Sequence, residues 1–222
     1  MPLQEYTFLY CINKQFYFKR HNHDYLRNIR MTGVFSFSNV KAIIFDLDDT
    51  LVKTTLDFAK LKVEIGCTKD DDILSFIDNI ECPTQQSNAN QVVLAHELDD
   101  AHTSIWLPGA LAFVEQAKAT GMPLAIVTRN CQQATKIKMA NNNIPIDIVL
   151  TRDDAPAKPD PTGLLFIAQR WQIAPCDIAY IGDYIYDIQA AHNANMQAWL
   201  YKQDKHENLH EYGHNLTYIA AE

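Results

Sequence analysis

Apolar and polar positions along the chain fall into five short β-rich runs: 42–45 (AIIF), 124–127 (LAIV), 146–150 (IDIVL), 178–181 (IAYI) and 197–201 (QAWLY). Runs this short and this apolar suit strands covered on both faces. The segments between them, 110–120, 131–142, 161–172 and 184–195, carry apolar residues at helical intervals. Strands alternating with helices predict an α/β fold, a Rossmann-like parallel sheet with helices on both faces. Punctuation agrees: Pro108 and Gly109 precede one helix, Gly121 closes it, and Asn195 stands where a left-handed residue often ends a helix.

Residues 57–106 break the alternation. They read as helical at 57–65, about 69–81 and about 90–105, with 82–90 (CPTQQSNAN) as a polar loop and no convincing strand. The pattern predicts a small α-helical cap, 57–106, inserted in a core domain made of 40–56 and 107–222. The acidic run Asp70-Asp71-Asp72 reads as helix capping, because Thr68-x-x-Asp71 is a capping-box variant and acids favour a helix N-terminus. His96 and His102, six apart, do not share a helix face as a ligand pair would. Residues 1–39 are aromatic and basic-leaning without clear periodicity. They read as a loose N-terminal extension, outside the core domain and without a motif, with Met31 placed to start a chain of its own.

Composition narrows the class. The 222 residues, 47% of them hydrophobic, suffice for one sizeable core. Acidic residues outnumber basic ones 27 to 19, and no basic block occurs, which argues against a nucleic-acid or anionic-membrane surface. Five scattered cysteines without C-x-x-C spacing suit a reducing, cytoplasmic setting. No apolar run approaches the roughly 20 residues of a membrane span, and charged residues interrupt the first thirty. The "NLT" at Asn215 then reads as a chance match to a glycosylation acceptor.

In an open parallel sheet, ligands sit beyond the carboxyl ends of the strands. Here those ends collect Asp46 and Asp48; Thr128, Arg129 and Asn130; Thr151, Arg152, Asp153 and Asp154; and Gly182 with Asp183. Lys158 follows shortly in "AKPDP". Asp46 and Asp48, two apart in extended chain, can face the same side, where their repulsion calls for a cation. With Asp183 from a neighbouring strand, three carboxylates converge. Oxygen donors of this kind suit Mg²⁺, which often shares its shell with a substrate phosphate. Lys158 and the Thr128 hydroxyl offer a charge and a donor to phosphate oxygens.

"DLDDTL" (46–51), "VTRN" (127–130), "KPDP" (158–161) and "GDYIYD" (182–187), in this order and on these strand ends, resemble the four motifs of the haloacid dehalogenase superfamily. The resemblance spans about residues 41–201 and includes the run into the second motif, "LPGALAFVEQAKATGMPLAIVT". It implies that Asp46 is a nucleophile forming an aspartyl-phosphate, and that Asp48 is the general acid and then the base for water. Thr128 and Lys158 would bind the phosphoryl group. Asp46, the main-chain carbonyl of Asp48, and Asp183 would hold Mg²⁺, with Asp187 supporting them. Arg129, in place of the family's more usual Asn, either binds phosphate or lies on the surface. Asp49 stands where many members have Gly.

An acid two residues after the nucleophile separates phosphatase-like members from carbon-attacking dehalogenases, and the short helical insert resembles the cap of phosphoglycolate-phosphatase-like members. The resemblance therefore implies a Mg²⁺-dependent phosphatase acting on a small phosphorylated metabolite such as phosphoglycolate, a sugar phosphate or a nucleotide. It would be a monomer or weak dimer. A phosphomutase of the same fold, β-phosphoglucomutase-like, is the nearest alternative. A non-catalytic phospho-signalling or binding module is the alternative of another class. Receiver domains of that kind, however, lack an inserted helical lobe and a GDxxxD motif after the lysine.

Overall fold

Two short strands, β1 (Phe8–Ile12) and β2 (Gln15–Lys19), pair antiparallel ahead of the motif-bearing region. The computed structural model describes residues 35–201 throughout and residues 8–12, 15–19 and 214–216 as backbone strands. Most of the 1–39 segment thus lies outside the described residues. Its last part does not: Phe35 and Phe37 pack on the core, where their rings meet Phe113.

The strand β3 (Ala42–Phe45) is buried along its whole length. It leads into β4 (Val52–Lys53) and then three helices, α1 (Phe58–Ile65), α2 (Ile73–Asp78) and α3 (Pro83–Thr103). The strand β5 (Ile105–Trp106) returns the chain by pairing antiparallel with β4. Thereafter strands and helices alternate: α4 (Ala110–Ala119), β6 (Leu124–Val127), α5 (Gln132–Asn141), β7 (Ile148–Leu150), α6 (Thr162–Trp171), β8 (Ile178–Gly182), α7 (Ile185–Asn193), β9 (Gln197–Tyr201) and β10 (His214–Leu216). The main sheet has the order β10-β9-β8-β3-β6-β7, with every pairing parallel. β3 lies between β8 and β6, so the first motif is flanked by the fourth and the second.

Side chains alternate across this sheet as a pleated strand requires. Ile43, Phe45, Ile126 and Ile181 face α4, whose Ala110, Val114 and Ala117 close one core. Ala42, Ile44, Ala125 and Tyr180 face α6 and α7, with Leu164, Ile167, Ile188 and Ala191 closing the other. Burial of both faces is why these strands read as unbroken apolar runs. Gly121 and Asn195 adopt the left-handed conformation expected of them, with φ of 78° and 56°.

The inserted region departs from its sequence reading in three places. Residues 83–90, expected as loop, are the first turns of α3. Pro83 suits a first helical position, where no N–H partner is needed. Those turns bury Ala89 while their polar residues face solvent, so they carry no apolar period to detect. Second, α2 begins at Ile73, and its cap is Asp72, which accepts from Ser75 N–H at 3.0 Å. Thr68 instead closes a turn by donating to Asp71 at 2.7 Å. Third, a strand is present in the insert: β5, held by β4 rather than by any pattern of its own. Leu61, Ile77, Ala89 and Val93 form a separate small core under these helices. His96 pairs with Glu64 at 2.8 Å, within the lobe.

Candidate active site

The site is built where β3, β6 and β8 end. Asp46 N–H still bonds across to Ile181 O at 2.8 Å, which fixes the residue as the last rung of the sheet. The chain then turns tightly: Leu51 and Val52 N–H both reach Leu47 O, and Asp49 takes the left-handed conformation with φ 51°. Glycine is favoured at such a φ, and Asp is among the few residues that tolerate it. Asp49 also accepts from Thr54 N–H at 3.3 Å. Leu47 is fully buried, so the turn is anchored in the core while its acids face the strand ends.

Lys158, 3% exposed, is the centre of charge. Its ammonium donates to Asp46 Oδ1 at 2.5 Å, Asp187 Oδ1 at 2.7 Å and the Tyr180 hydroxyl at 2.7 Å, using all three of its protons. Asp187 is saturated as well: Oδ1 also accepts from Tyr180 at 3.0 Å, and Oδ2 accepts from Asp183 and Tyr184 N–H at 3.2 and 3.0 Å. Gly182 makes this packing possible, because a Cβ there would lie 2.3 Å from Asp187 Cγ. Asp46, Asp183 and Asp187 each bring a carboxylate oxygen within 4.8 Å of the others. Asp183 also accepts from the buried Thr50 hydroxyl at 3.4 Å.

One ammonium does not balance these acids. Burial pushes the Asp46 carboxyl up to about 7, with Lys158 opposing the rise and Asp187 and Asp48 adding to it. Burial, followed by Asp187, Asp46 and Asp49, holds Asp183 well above the usual carboxylate range. Burial works against the Lys158 ammonium, but Asp187 and Asp46 outweigh it and keep its pKa above the ordinary value. An all-oxygen donor set with surplus negative charge fits a hard divalent cation such as Mg²⁺. Asp46 and Asp183 retain free lone pairs for it, whereas Asp187 spends both oxygens on protein partners.

The other sequence candidates are placed around this cluster. The Asp48 carboxylate turns away from the three-acid group toward α5: Oδ1 pairs with Lys138 at 2.5 Å and Oδ2 accepts from the Asn130 amide. Thr128, buried at the end of β6, accepts from Asn130 N–H at 3.2 Å. Arg129 spans the cleft between core and lobe. It pairs with Asp72 of α2 at 2.5 Å, donates to Lys158 O, and lies over the Tyr186 ring with 4.5 Å to the centroid.

Two members of the site, Tyr180 and Lys138, were not anticipated. Tyr180 is the one phenol in a run of buried aliphatics, and a buried hydroxyl demands partners; that demand was the available signal. Burial pushes its hydroxyl well above its usual pKa, and Asp187 and Asp46 add to the rise. Lys138 lies four residues after Ala134 on the buried face of α5, where a lysine is out of pattern. Asp100 of α3, its second partner at 2.7 Å, comes from a different part of the chain and carries no such mark.

A sequence model of haloacid dehalogenase-like hydrolases matches residues 43–200. An uncharacterized hydrolase of Saccharomyces cerevisiae is 27% identical over 187 residues, covering 82% of this chain and 85% of that protein. A phosphoglycolate phosphatase of Thiobacillus denitrificans is 25% identical over 181 residues, covering 70% and 80%. Among solved structures, a haloacid dehalogenase-like family hydrolase of Streptococcus pneumoniae superposes with a TM-score of 0.63 at 20% identity, covering 82% of this chain and 95% of that one. The match spans most of the chain and includes every strand-end acid and the buried lysine described above, which makes this protein a member of the haloacid dehalogenase-like hydrolase family.

Proposed function

We propose that the protein is a Mg²⁺-dependent phosphatase that hydrolyses a small phosphorylated metabolite in the cytoplasm. The observation that carries this reading is Asp46, a buried carboxylate held against Lys158 and facing Asp183, with a second acid, Asp48, two residues on. Asp46 attacks the phosphorus with its free oxygen, and the ester P–O bond breaks. The leaving oxygen takes a proton from Asp48. Water then attacks the phosphorus of the aspartyl-phosphate and gives its proton to Asp48, which releases phosphate and restores Asp46. Asp46, Asp183 and the Asp48 main-chain carbonyl are the groups that would hold Mg²⁺, which supplies charge neutralisation between the anionic nucleophile and the anionic phosphoryl group. Lys158 steadies Asp46 from behind, and Thr128 stands at the neighbouring strand end with a hydroxyl for a phosphate oxygen.

The Arg129–Asp72 contact brings the lobe against this edge, which supports a restriction to small substrates. Among the described residues no helix is long and apolar enough to cross a membrane. The formal net charge of −8 disfavours nucleic acid as partner. The test is a panel of phosphorylated metabolites, led by phosphoglycolate because of the Thiobacillus relative, with sugar phosphates and nucleoside monophosphates beside it. Free phosphate is expected with Mg²⁺ and none in excess chelator. Turnover that persists in chelator, or an isomerised sugar phosphate in place of free phosphate, overturns the reading.

A further inference from the structure

Among the described residues Lys138 is a fully buried cation outside the Lys158 cluster. Its side chain is wholly buried on α5, and its ammonium sits between Asp48 Oδ1 at 2.5 Å and Asp100 Oδ2 at 2.7 Å. Asp100 is 1% exposed and belongs to α3. The other hydrogen bonds of its carboxylate go to the stretch where the chain leaves the core for the lobe: Thr54 Oγ1 at 2.9 Å, Thr55 N–H at 2.5 Å and Thr55 Oγ1 at 3.0 Å. One ammonium thus joins the acid beside the nucleophile, the long helix of the lobe, and the crossover between the two units.

A purely structural job does not explain a charge here. Burying an ammonium and its partners costs about as much as their attraction returns, and apolar replacements of such groups are often neutral or stabilising. The α3–α5 contact already has an apolar seam in Ala101, Cys131, Ala134, Leu94, Leu98 and Ile137. What an apolar side chain could not do is hold the Asp48 carboxylate. The Asp48 side chain is 23% exposed, and its grip is two-pointed, Lys138 on one oxygen and the Asn130 amide on the other. Such a grip fixes both torsions of a short side chain.

We infer that Lys138 is a positioning residue for the phosphatase reaction, setting the pose of Asp48 and tying that pose to the Thr54–Thr55 crossover through Asp100. The inference rests on the phosphatase reading and on Asp48 as its proton donor. It places the control of proton transfer in the joint between core and lobe: a shift of Thr54 and Thr55 moves Asp100, and with it the ammonium that Asp48 leans on.

The test compares two esters of nearly the same shape, phenyl phosphate and 4-nitrophenyl phosphate. The first expels a basic phenolate that needs a proton, and the second a far less basic one that does not. In Lys138→Met, kcat/KM, which reports phosphoryl transfer to Asp46, is expected to fall about tenfold further for phenyl phosphate than for 4-nitrophenyl phosphate. Lys138→Arg, which keeps a cation in place, should recover part of that difference. Equal losses on both esters overturn the inference. Should Lys138→Met fold poorly, Lys138→Met with Asp100→Asn removes the surplus buried carboxylate, keeps acceptor and donor atoms for Thr54 and Thr55, and must show the same selectivity. A crystal structure of either variant gives a readout free of turnover: the Asp48 carboxylate is expected to leave its present position, and an unmoved Asp48 overturns the inference. If the unaltered protein cleaves neither ester, the phosphatase reading fails, while the position of Asp48 in the variant still decides the role of Lys138.

Discussion

Two buried lysines solve the same electrostatic problem in this molecule with different consequences. Lys158 stands between Asp46 and Asp187, both at the sheet edge, and spends its third proton on Tyr180 of the same sheet. Every partner is held by a strand or by the first turn of the helix after it, so the cluster is as rigid as the sheet. Lys138 stands between Asp48 and Asp100, one from the core and one from α3 of the lobe. A charge held within one rigid unit sets the field of the site; a charge held between two units also transmits their relative position. Burial of an ion is costly in both cases. What the cost secures differs.

The largest effect that would sharpen the contrast is on Lys158→Met. It leaves Asp46 and Asp187 facing each other without a cation, and removes the positive group nearest the nucleophile. Turnover should fall by roughly 10²–10³ or more on every phosphate ester, regardless of leaving group. Leaving-group dependence here, like that foreseen for Lys138, would erase the distinction; steady-state kinetics on the two aryl esters decides it.

A second, smaller effect concerns Tyr180→Phe, which deletes one hydroxyl and keeps the ring in its core. It removes contacts to Lys158 and Asp187, so Lys158 retains two of its three acceptors. A loss of about 1–3 kcal/mol of stability is expected for partners left unsatisfied in the interior, with kcat falling by less than in Lys158→Met. Chemical denaturation and the same assays measure both. A kcat loss as large as that of Lys158→Met would mean that the hydroxyl acts on substrate directly.

The smallest effect is one of pH. The carboxyls of Asp46 and Asp183 are raised in the folded chain, Asp46 from 3.8 to about 7. Over that window the folded state binds more protons than the unfolded one, so this contribution to stability is present at low pH and is lost as pH rises through about 7. Metal-free protein should therefore lose thermal stability between pH 6 and pH 8 through these groups, the opposite of an ordinary salt-bridged carboxylate. Mg²⁺, which takes the deprotonated form, should raise the melting temperature more at pH 8 than at pH 6. An equal Mg²⁺ gain at the two pH values counts against the cluster as the binding site.

The contrast between the lysines is also a contrast in what a sequence displays. The charged members of the Lys158 cluster were legible because Asp46, Lys158 and the Asp183–Asp187 motif follow strand runs in the chain, and parallel strands deliver their ends to one edge; Tyr180, inside β8, was not. Residues 42–45, 124–127 and 197–201 form strands with those bounds. The Lys138 cluster draws on a turn, the middle of a helix and the far end of the inserted lobe. No local period relates Asp48 to residues 52 and 90 positions away, so only the fold could show the pairing. The lobe was the least readable part for a related reason. The first turns of α3 rest on little apolar surface, and β5 exists because β4 is beside it.

The anchoring of α3 has a mechanical corollary. Near its C-terminal end Asp100 holds the crossover, and one turn earlier the buried Glu97 pairs with Arg152 and accepts from Cys131 N–H at 3.1 Å. That half of the helix works like a fixed jaw, bolted to α5 and to the loop after β7. Widening the cleft therefore falls to α1 and α2, which among the described residues are tied to the core by the ion pair of Asp72, the cap of α2, with Arg129, both partners partly open to water. A pair with a fifth to a quarter of each side chain open to water is partly screened by salt. Ionic strength should then act on this protein as a latch setting, governing how readily a ligand gains the strand edge while leaving the chemistry waiting there untouched.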